Sequence, residues 1–224
     1  METFETALKL IKLNSYMASI DIRHIYYSVP IAVEHKQFLC FKWKGTFFQY
    51  TCLPNAINCA PRYFTNLLKP VYATLRQLGH INMGYIDDYL LVADEKDDSI
   101  RNVNDTKCLF EKVGFIIHDN KSIAVPVQKL KFLGFLIDSV KMVVTLPVDK
   151  IDNIIQECKV LLKKQEATIH EVAKVIGILV SVFPAVEYGP LHYRNLELQK
   201  IDQLKNCKGN YNLKMRITNS MKTD

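Results

Sequence analysis

Residues 81–93 read INMGYIDDYLLVA, a stretch in which two short apolar runs flank a pair of adjacent carboxylates. The runs 81–85 and 89–93 are long enough for β-strands, so Asp87 and Asp88 are predicted to lie at the tip of a tight hairpin. Two carboxylates about 4 Å apart repel by roughly 4 kcal/mol at an effective dielectric of about 20. A hairpin turn selected for stability alone favours Asn-Gly or Asp-Gly. A divalent cation such as Mg²⁺ would offset the repulsion, and a solvated acidic turn is the alternative.

A third carboxylate lies at the end of another predicted strand. The segment 16–22 is apolar up to Asp21, and the aromatic residues Tyr26 and Tyr27 follow it. A carboxylate at the end of a buried strand is costly unless it is paired or bound to metal. Together with the hairpin carboxylates, Asp21 could hold two metal ions about 3.5–4 Å apart, an arrangement used for phosphoryl transfer. Taken alone, Asp21 is equally compatible with a turn or a helix cap.

The remaining pattern predicts a mixed α/β segment at 1–146 followed by helices. Aromatic and β-branched residues at 38–43 and 46–53 predict a second hairpin, and apolar residues at helical spacing predict a helix over 60–78. Another helix is expected over 98–113 and a continuous strand over 132–137. These elements favour the α+β class.

From residue 147 onward the apolar spacing is helical. Thr168 and Glu171 form a capping-box pattern that opens one of these helices. The chain is therefore divided into 1–146, a helical region at 147–205 and a polar, lysine-rich tail at 206–224 that is expected to be loose.

Composition excludes several classes of protein. Nearly half of the 224 residues are hydrophobic (49%), which is typical of a globular chain, and the net charge of +6 suits a polyanionic partner. None of the six cysteines lies in a C-x-x-C pair, so a structural zinc site is not expected. Neither a secretory signal nor a membrane span is visible. We therefore expect an intracellular protein, cytoplasmic or nuclear, without a membrane partner.

Five blocks resemble the reverse transcriptases of retroelements, in the order in which that family carries them. They are SIDIRHIYYSVP at 19–30, LPNAINCAPRYF at 53–64, YIDD at 85–88, the segment 114–122 from GF to NKS, and FLGF at 132–135. The helical remainder, including SVFPAVEYGPL at 181–191, is similar to the thumb region of DIRS-like retrotransposons, the tyrosine-recombinase class. The resemblance implies a polymerase palm, an antiparallel sheet that carries the YxDD hairpin and is backed by helices, followed by a helical thumb.

The resemblance also implies a reaction and its ligands. Asp21, Asp87 and Asp88 would bind two Mg²⁺ ions, with Mn²⁺ as a substitute, and catalyse template-directed transfer of dNTPs to a primer 3′-hydroxyl. The partners would be an RNA or DNA template with its primer. Because the family's fingers precede the first block and an RNase H domain follows the thumb, the chain is expected to be part of a longer polyprotein.

Further residues acquire expected roles from the same resemblance. Arg23, Tyr26, Asn55, Ala56 and Lys121 would bind the nucleotide; Tyr26 would act as a steric gate against the ribose 2′-hydroxyl, and Lys121 would donate a proton to pyrophosphate. The alternatives are a core aromatic for Tyr26 and an exposed turn residue for Lys121. The segment Phe132, Leu133, Gly134 and Phe135 would be the primer grip, with a simple buried strand as the alternative.

Two positions depart from the family pattern. His24 stands where an acidic residue is usual, and Ala56 stands where glycine is usual. These departures favour a second hypothesis, a decayed or co-opted copy that binds nucleic acid without polymerising. A third hypothesis is a structural α/β protein in which the acidic turn is incidental.

Overall fold

A four-stranded antiparallel sheet lies at the centre of the first of two compact units. The computed structural model describes residues 2–55 and 57–222. The strands of the sheet are β1 (Tyr16–Asp21), β4 (Ile81–Tyr85), β5 (Asp88–Ala93) and β6 (Ile123–Val127). They lie side by side in the order β4-β5-β1-β6.

One face of the sheet is covered by two long helices, α3 (Ala60–Gln77) and α4 (Lys96–Lys112). Apolar residues of α3 recur at helical spacing and face the sheet, and α3 continues through Pro70. The buried side chains of this core are Ala18, Ile20, Ile22, Ile25, Phe64, Leu68, Val71, Tyr72, Leu75, Tyr89, Leu91, Val103 and Phe110. The predicted α+β class, an antiparallel sheet carrying the YxDD hairpin and backed by helices, is confirmed.

The opposite face of the sheet is also buried. Met17, Met83, Leu90 and Val92 point to this side and pack with Ala7 and Ile11 from the region of α1 (Phe4–Leu10), together with Leu130, Phe132 and Ile137. Successive residues of a strand point to opposite faces. Burial on both faces therefore explains why β5 is apolar without alternation.

A separate hairpin is formed by β2 (Cys40–Trp43) and β3 (Thr46–Gln49). Lys44 and Gly45 connect the strands with positive φ angles of 45° and 82°, as a two-residue hairpin turn requires. The aromatic rings of Phe41 and Phe48 stack at 5.4 Å. All eight strand residues are exposed, so the predicted hairpin exists but lies outside the sheet's two cores.

Two strand predictions need correction. The continuous strand expected over 132–137 is two strands, β7 (Lys129–Phe132) and β8 (Phe135–Asp138), because Leu133 and Gly134 form a turn between them. The structure also contains β6, which the sequence analysis missed. Pro126 weakens a strand prediction, but β6 is an edge strand, where an absent N–H is tolerated.

The second unit consists of residues 134–136 and 144–224. Its largest elements are α5 (Val148–Leu162), α6 (Ile169–Val180) and α7 (Arg194–Asn206). The Thr168 hydroxyl accepts from the amide of Glu171, and the Glu171 carboxylate accepts from the amide of Thr168, which is the predicted capping box. These helices enclose a core that includes Leu161, Val172, Ile176 and Leu196.

The tail differs from the loose segment that its composition predicts. Strand β11 (Lys214–Arg216) pairs with β10 (Glu166–Thr168), and α8 (Asn219–Lys222) follows it. Met215, Ile217 and Met221 are buried in the core of the second unit. The three apolar residues are sparse in a lysine-rich segment, so average composition concealed them.

The remaining short elements connect these parts. They are α2 (Val33–Lys36), β9 (Val143–Thr145) and the 3-10 helices Ile25–Ser28, Phe183–Ala185 and Gly189–Leu191. Within the described part of the chain, no helix is both long enough and apolar enough to cross a membrane.

The core between the sheet and its helices should dominate stability. Phe110 is fully buried and packs edge-to-face on Tyr89 at 4.6 Å. Phe110→Ala should lower the free energy of unfolding by about 3–5 kcal/mol, measured by urea denaturation, because it removes a large side chain from a closed core. The control is Phe47→Ala in the exposed hairpin, where a change within about 0.5 kcal/mol is expected. Equal losses in both variants would contradict this account of the core.

Candidate active site

Three carboxylates meet at one end of the sheet. Strands β1 and β5 pair in a register that places Asp21 directly opposite Asp88, and Asp87 precedes Asp88 in the turn that joins β4 to β5. Side chains directly opposite each other in an antiparallel pair have Cβ atoms about 4.5–5.5 Å apart. The structure thus brings together the acidic residues of two sequence blocks that are separated by α3 and the exposed hairpin.

The turn that carries Asp87 is held in an unusual conformation. Ile86 has a φ angle of 57°, in the left-handed region that β-branched residues rarely adopt. The side chain of Ile86 packs against the core beneath the sheet, and the amide of Ile22 donates to the carbonyl of Asp87 at 3.1 Å. Such strain persists only where the surroundings enforce it, and it concentrates at functional sites.

The electrostatic cost of this arrangement falls on Asp88. Burial, followed by the charges of Asp87 and Asp21, raises the pKa of Asp88 from its ordinary 3.8 to about 6, while Lys121 acts in the opposite direction. A carboxyl group with a raised pKa gains most from a nearby cation, because that cation favours the ionised form.

Basic side chains share an open cleft with two of the carboxylates. Asp21 and Asp87 line it together with Ile22, Arg23, His24, His118 and Lys121. Cations beside carboxylates in one cleft can bind an anion such as a phosphate chain while the carboxylates bind metal. Of these residues, His24 and His118 had no ligand-binding role in the sequence analysis. No local sequence pattern singles out His118, because its place in the cleft depends on its hydrogen bond to the distant Asp21.

The loop that supplies His118 and Lys121 is tied to the end of β1. The amide of His118 donates to the carbonyl of Asp21 at 2.8 Å, and the Ser122 hydroxyl accepts from the amide of Asp21 at 3.0 Å. That hydroxyl also donates to the His118 carbonyl. Arg23 lies beside this loop, with its guanidinium 3.4 Å from Nδ1 of His118. These bonds fix the basic loop relative to Asp21.

The predicted nucleotide-binding residues differ in how close they lie to the carboxylates. Tyr26 packs edge-to-face on Phe64 at 6.0 Å, and its pKa is raised by burial and by the charge of Asp87. Tyr26 therefore contacts the core and also lies within electrostatic reach of Asp87 in the β4–β5 turn. Asn55 is exposed and does not line the cleft, and Ala56 lies outside the described residues.

The proposed primer-grip segment forms a tight turn rather than a strand. Leu133 and Gly134 both have positive φ angles, 47° and 79°, while Phe132 and Phe135 on either side are buried. The ammonium group of Lys150 lies over the ring of Phe135, 4.6 Å from its centre. The turn is therefore anchored by two buried aromatic side chains, and Leu133 and Gly134 at its tip are partly buried.

The donor set suits a metal that takes part of its coordination from a ligand. Among residues 2–55 and 57–222, no three His, Cys, Asp or Glu side chains form a group that could hold a metal ion by themselves. Mg²⁺ commonly binds through one or two carboxylates and completes its octahedron with water and phosphate oxygens. Asp21 and Asp87, which face one cleft, and Asp88, which would gain from a cation, fit that kind of site.

Comparison with known proteins agrees with this geometry. Residues 2–137 match the sequence family described as reverse transcriptase (RNA-dependent DNA polymerase). The chain is 23% identical over 128 residues to the Pro-Pol polyprotein of Simian foamy virus type 1, and 24% identical over 226 residues to the Gag-Pol polyprotein of Bovine immunodeficiency virus. These matches cover 57% and 92% of this chain, but only 11% and 14% of the two polyproteins.

Two solved structures that share this fold are foamy viral proteins. The foamy viral protease–reverse transcriptase dRH in complex with double-stranded DNA superposes with a TM-score of 0.75 at 18% identity, covering 99% of this chain and 36% of the other. The foamy viral protease–reverse transcriptase in complex with an RNA/DNA hybrid gives a TM-score of 0.68 at 18% identity, covering 88% of this chain and 25% of the other. At this identity the likeness shows the fold.

The raised pKa of Asp88 predicts a pH dependence of stability. Between its ordinary pKa of 3.8 and about 6, the folded chain holds more protons at Asp88 than the unfolded chain. Stability should therefore fall as pH rises through this window when no divalent metal is present. Urea denaturation in EDTA should show that the free energy of unfolding falls less with rising pH in Asp88→Asn than in wild type. The exposed Asp94→Asn variant should behave like wild type, and an Asp88→Asn slope equal to that of wild type would contradict the assignment.

Proposed function

The chain belongs to the reverse transcriptase family, and on that premise we propose that it carries the palm of a template-directed polymerase, which adds dNTPs to a primer 3′-hydroxyl. The observation that carries the proposal is the register that sets Asp21 opposite Asp88, beside Asp87 and a basic cleft. An incidental acidic turn explains neither the cross-strand carboxylate nor the basic loop fixed against it. The palm would correspond to residues 1–146 and a thumb to residues 147–205.

The three carboxylates would hold the divalent metal. Asp21 and Asp87 would bind two Mg²⁺ or Mn²⁺ ions, and Asp88 would complete the acidic set. When bound, such ions activate the attacking hydroxyl and stabilise charge on the leaving phosphate oxygens. The protein's own part is to hold its carboxylates adjacent, and the fixed turn at Ile86 supports that task.

The basic side chains of the cleft would orient the triphosphate. Arg23 and Lys121 both line the cleft beside Asp21, and their positive charges suit the polyphosphate of a dNTP. Lys121 would also donate the proton that pyrophosphate takes up as it leaves. The hydrogen bonds that fix the 118–122 loop to Asp21 keep these cations near the carboxylates during the reaction.

Sugar selection and primer placement are assigned to two further groups of residues. Tyr26 would limit the space beside the incoming sugar, with Asn55 and Ala56 nearer to the base and template. Phe132, Leu133, Gly134 and Phe135 would position the primer end through a tight turn that is held between two buried aromatic side chains.

A second candidate function rests on His24. This residue lines the cleft with a φ angle of 53° and stacks on Tyr27 at 5.9 Å, at a position where the family usually has an acidic residue. A histidine there supports a decayed or co-opted copy that binds nucleic acid without extending a primer. The intact carboxylate set supports the first candidate.

The natural context of the chain is also part of the proposal. The chain spans 11% and 14% of the lengths of the two viral polyproteins that it matches. The similarity of residues 181–191 to DIRS-like retrotransposons suggests such an element as the source.

Primer extension tests the polymerase proposal. With an RNA template, dNTPs and Mg²⁺, Asp87→Asn should lower the rate by at least about a hundredfold, because it removes a charge that the reaction needs in a partly desolvated site. Asp94→Asn is the matched control: Asp94 follows the other end of β5 and makes a surface ion pair with Lys12 at 2.9 Å. Extension by wild type and Asp94→Asn alone supports polymerisation. Duplex binding without extension by any variant supports the second candidate.

Sugar discrimination tests the role of Tyr26. Tyr26→Val should raise the ratio of rNTP to dNTP incorporation by about tenfold or more, because it opens space beside the 2′-carbon. Tyr27→Val is the control, since Tyr27 is the adjacent tyrosine and is half exposed. Single-nucleotide incorporation with each substrate gives the ratio. An unchanged ratio in Tyr26→Val, with normal dNTP incorporation, would assign Tyr26 to the core alone.

A further inference from the structure

The edge strand β4 is held by a residue to which the proposed function gives no role. Glu2 lies ahead of α1, and its side chain is 29% exposed. One carboxylate oxygen accepts from the guanidinium of Arg76 at 2.7 Å, and the other accepts from the backbone amide of Gly84 at 2.9 Å. Both oxygens of one side chain are therefore used to join the start of the chain, helix α3 and strand β4.

Arg76 completes the attachment. Its guanidinium also donates to the carbonyl of Asn82 at 3.0 Å. Residues 82 and 84 are two positions apart, so the Asn82 carbonyl and the Gly84 amide point to the same side of the strand. Among the described strands, β4 pairs only with β5. Glu2 and Arg76 thus occupy the free edge of β4, where a further strand would otherwise find hydrogen-bonding groups.

The packing behind this edge leaves little freedom. A Cβ atom at Gly84 would lie 1.9 Å from the hydroxyl oxygen of Tyr72, so the Tyr72 ring packs directly on the backbone of Gly84. The guanidinium of Arg76 lies 5.8 Å from the centre of the Tyr72 ring. Backbone, ring and ion pair form one unit, which we call the Glu2 clasp: Glu2, Tyr72, Arg76 and Gly84.

The clasp lies directly before the catalytic turn. Gly84 is followed by Tyr85 and then by Ile86, whose left-handed conformation must be enforced by its surroundings. Tyr85 pairs with Asp88 in the last register position of β4 and β5. Any shift of β4 along its free edge would therefore move Asp87 relative to Asp21.

We propose that Glu2 is a positioning residue that holds β4 in place and thereby sets the geometry of the Asp87–Asp88 turn. The effect on nucleotide transfer rests on the proposed polymerase function, whereas the effect on β4 does not. An exposed ion pair alone contributes little, but a carboxylate that accepts from a backbone amide makes a stronger, charge-assisted bond. The bond to Gly84 is accordingly the contact on which the inference depends.

Amide hydrogen exchange measured by NMR tests the clasp without catalysis. Glu2→Ala should speed exchange of the Gly84 amide by about tenfold, because it removes a charged acceptor. Glu2→Gln should fall between Glu2→Ala and wild type, since its amide oxygen can still accept. Glu5→Ala is the matched control, an exposed acidic residue in the first turn of α1. Exchange at Gly84 that is alike in Glu2→Ala and Glu5→Ala would overturn the proposal.

Kinetics separates positioning from a merely structural role. In primer extension, Glu2→Ala should lower kcat by roughly three- to tenfold with KM for dNTP changed by less than about twofold, because the nucleotide contacts remain while the turn is displaced. Faster Gly84 exchange with unchanged kcat would make the clasp structural only and overturn the positioning role.

If the wild-type chain extends no primer, Mn²⁺ binding measured by NMR replaces the kinetic test. Mn²⁺ broadens amide signals near its site, and Glu2→Ala should then need about tenfold more Mn²⁺ to broaden Asp87 and Asp88, since their carboxylates are no longer aligned. If Glu2→Ala and Glu5→Ala need the same Mn²⁺ concentration to broaden the Asp87 and Asp88 signals, the proposal is overturned. This arm separates failure of the clasp from failure of the polymerase function.

Discussion

The pairing of Asp21 with Asp88 across β1 and β5 is the constraint around which the first unit is arranged. Like charges directly opposite each other destabilise a strand pair, so the surrounding structure must hold them there. The apolar strands do this by burial on both faces of the sheet. The His118 amide and the Ser122 hydroxyl do it by hydrogen bonding to the backbone of Asp21. Stability is thus concentrated in the core while unfavourable charge is concentrated at one end.

The same end of the sheet combines backbone strain with a raised carboxyl pKa. Ile86 adopts a left-handed conformation and Asp88 has a raised pKa, and both belong to the turn that joins two strongly buried strands. Sites of this kind depart from local rules of propensity because function requires the departure. A divalent cation would relieve the repulsion, and the strained turn would then be matched to the metal-bound form rather than to the chain alone.

Much of this arrangement follows from the sequence. Apolar runs around two aspartates predicted the β4–β5 hairpin, and helical spacing over 60–78 predicted the helix that covers the sheet. The misses have physical causes. Pro126 concealed β6 because proline is unfavourable in most strands but tolerated at an edge. The Leu133–Gly134 turn lacked the usual Asn-Gly signal, and the buried Met215, Ile217 and Met221 were too sparse in a polar tail. The positions of His118 and Glu2 are set by contacts with residues distant in sequence, which the spacing of apolar residues does not predict.

The central claim is that carboxylates from two separate sequence blocks form one metal site. Electron paramagnetic resonance of Mn²⁺ in the presence of a dNTP tests it directly, because free Mn²⁺ gives a strong signal that is lost on binding. Wild-type chain should bind Mn²⁺, and Asp21→Asn should weaken that binding at least as much as Asp87→Asn does. Binding by Asp21→Asn that equals wild type, with Asp87→Asn defective, would contradict the claim, because the ion would then belong to the hairpin alone.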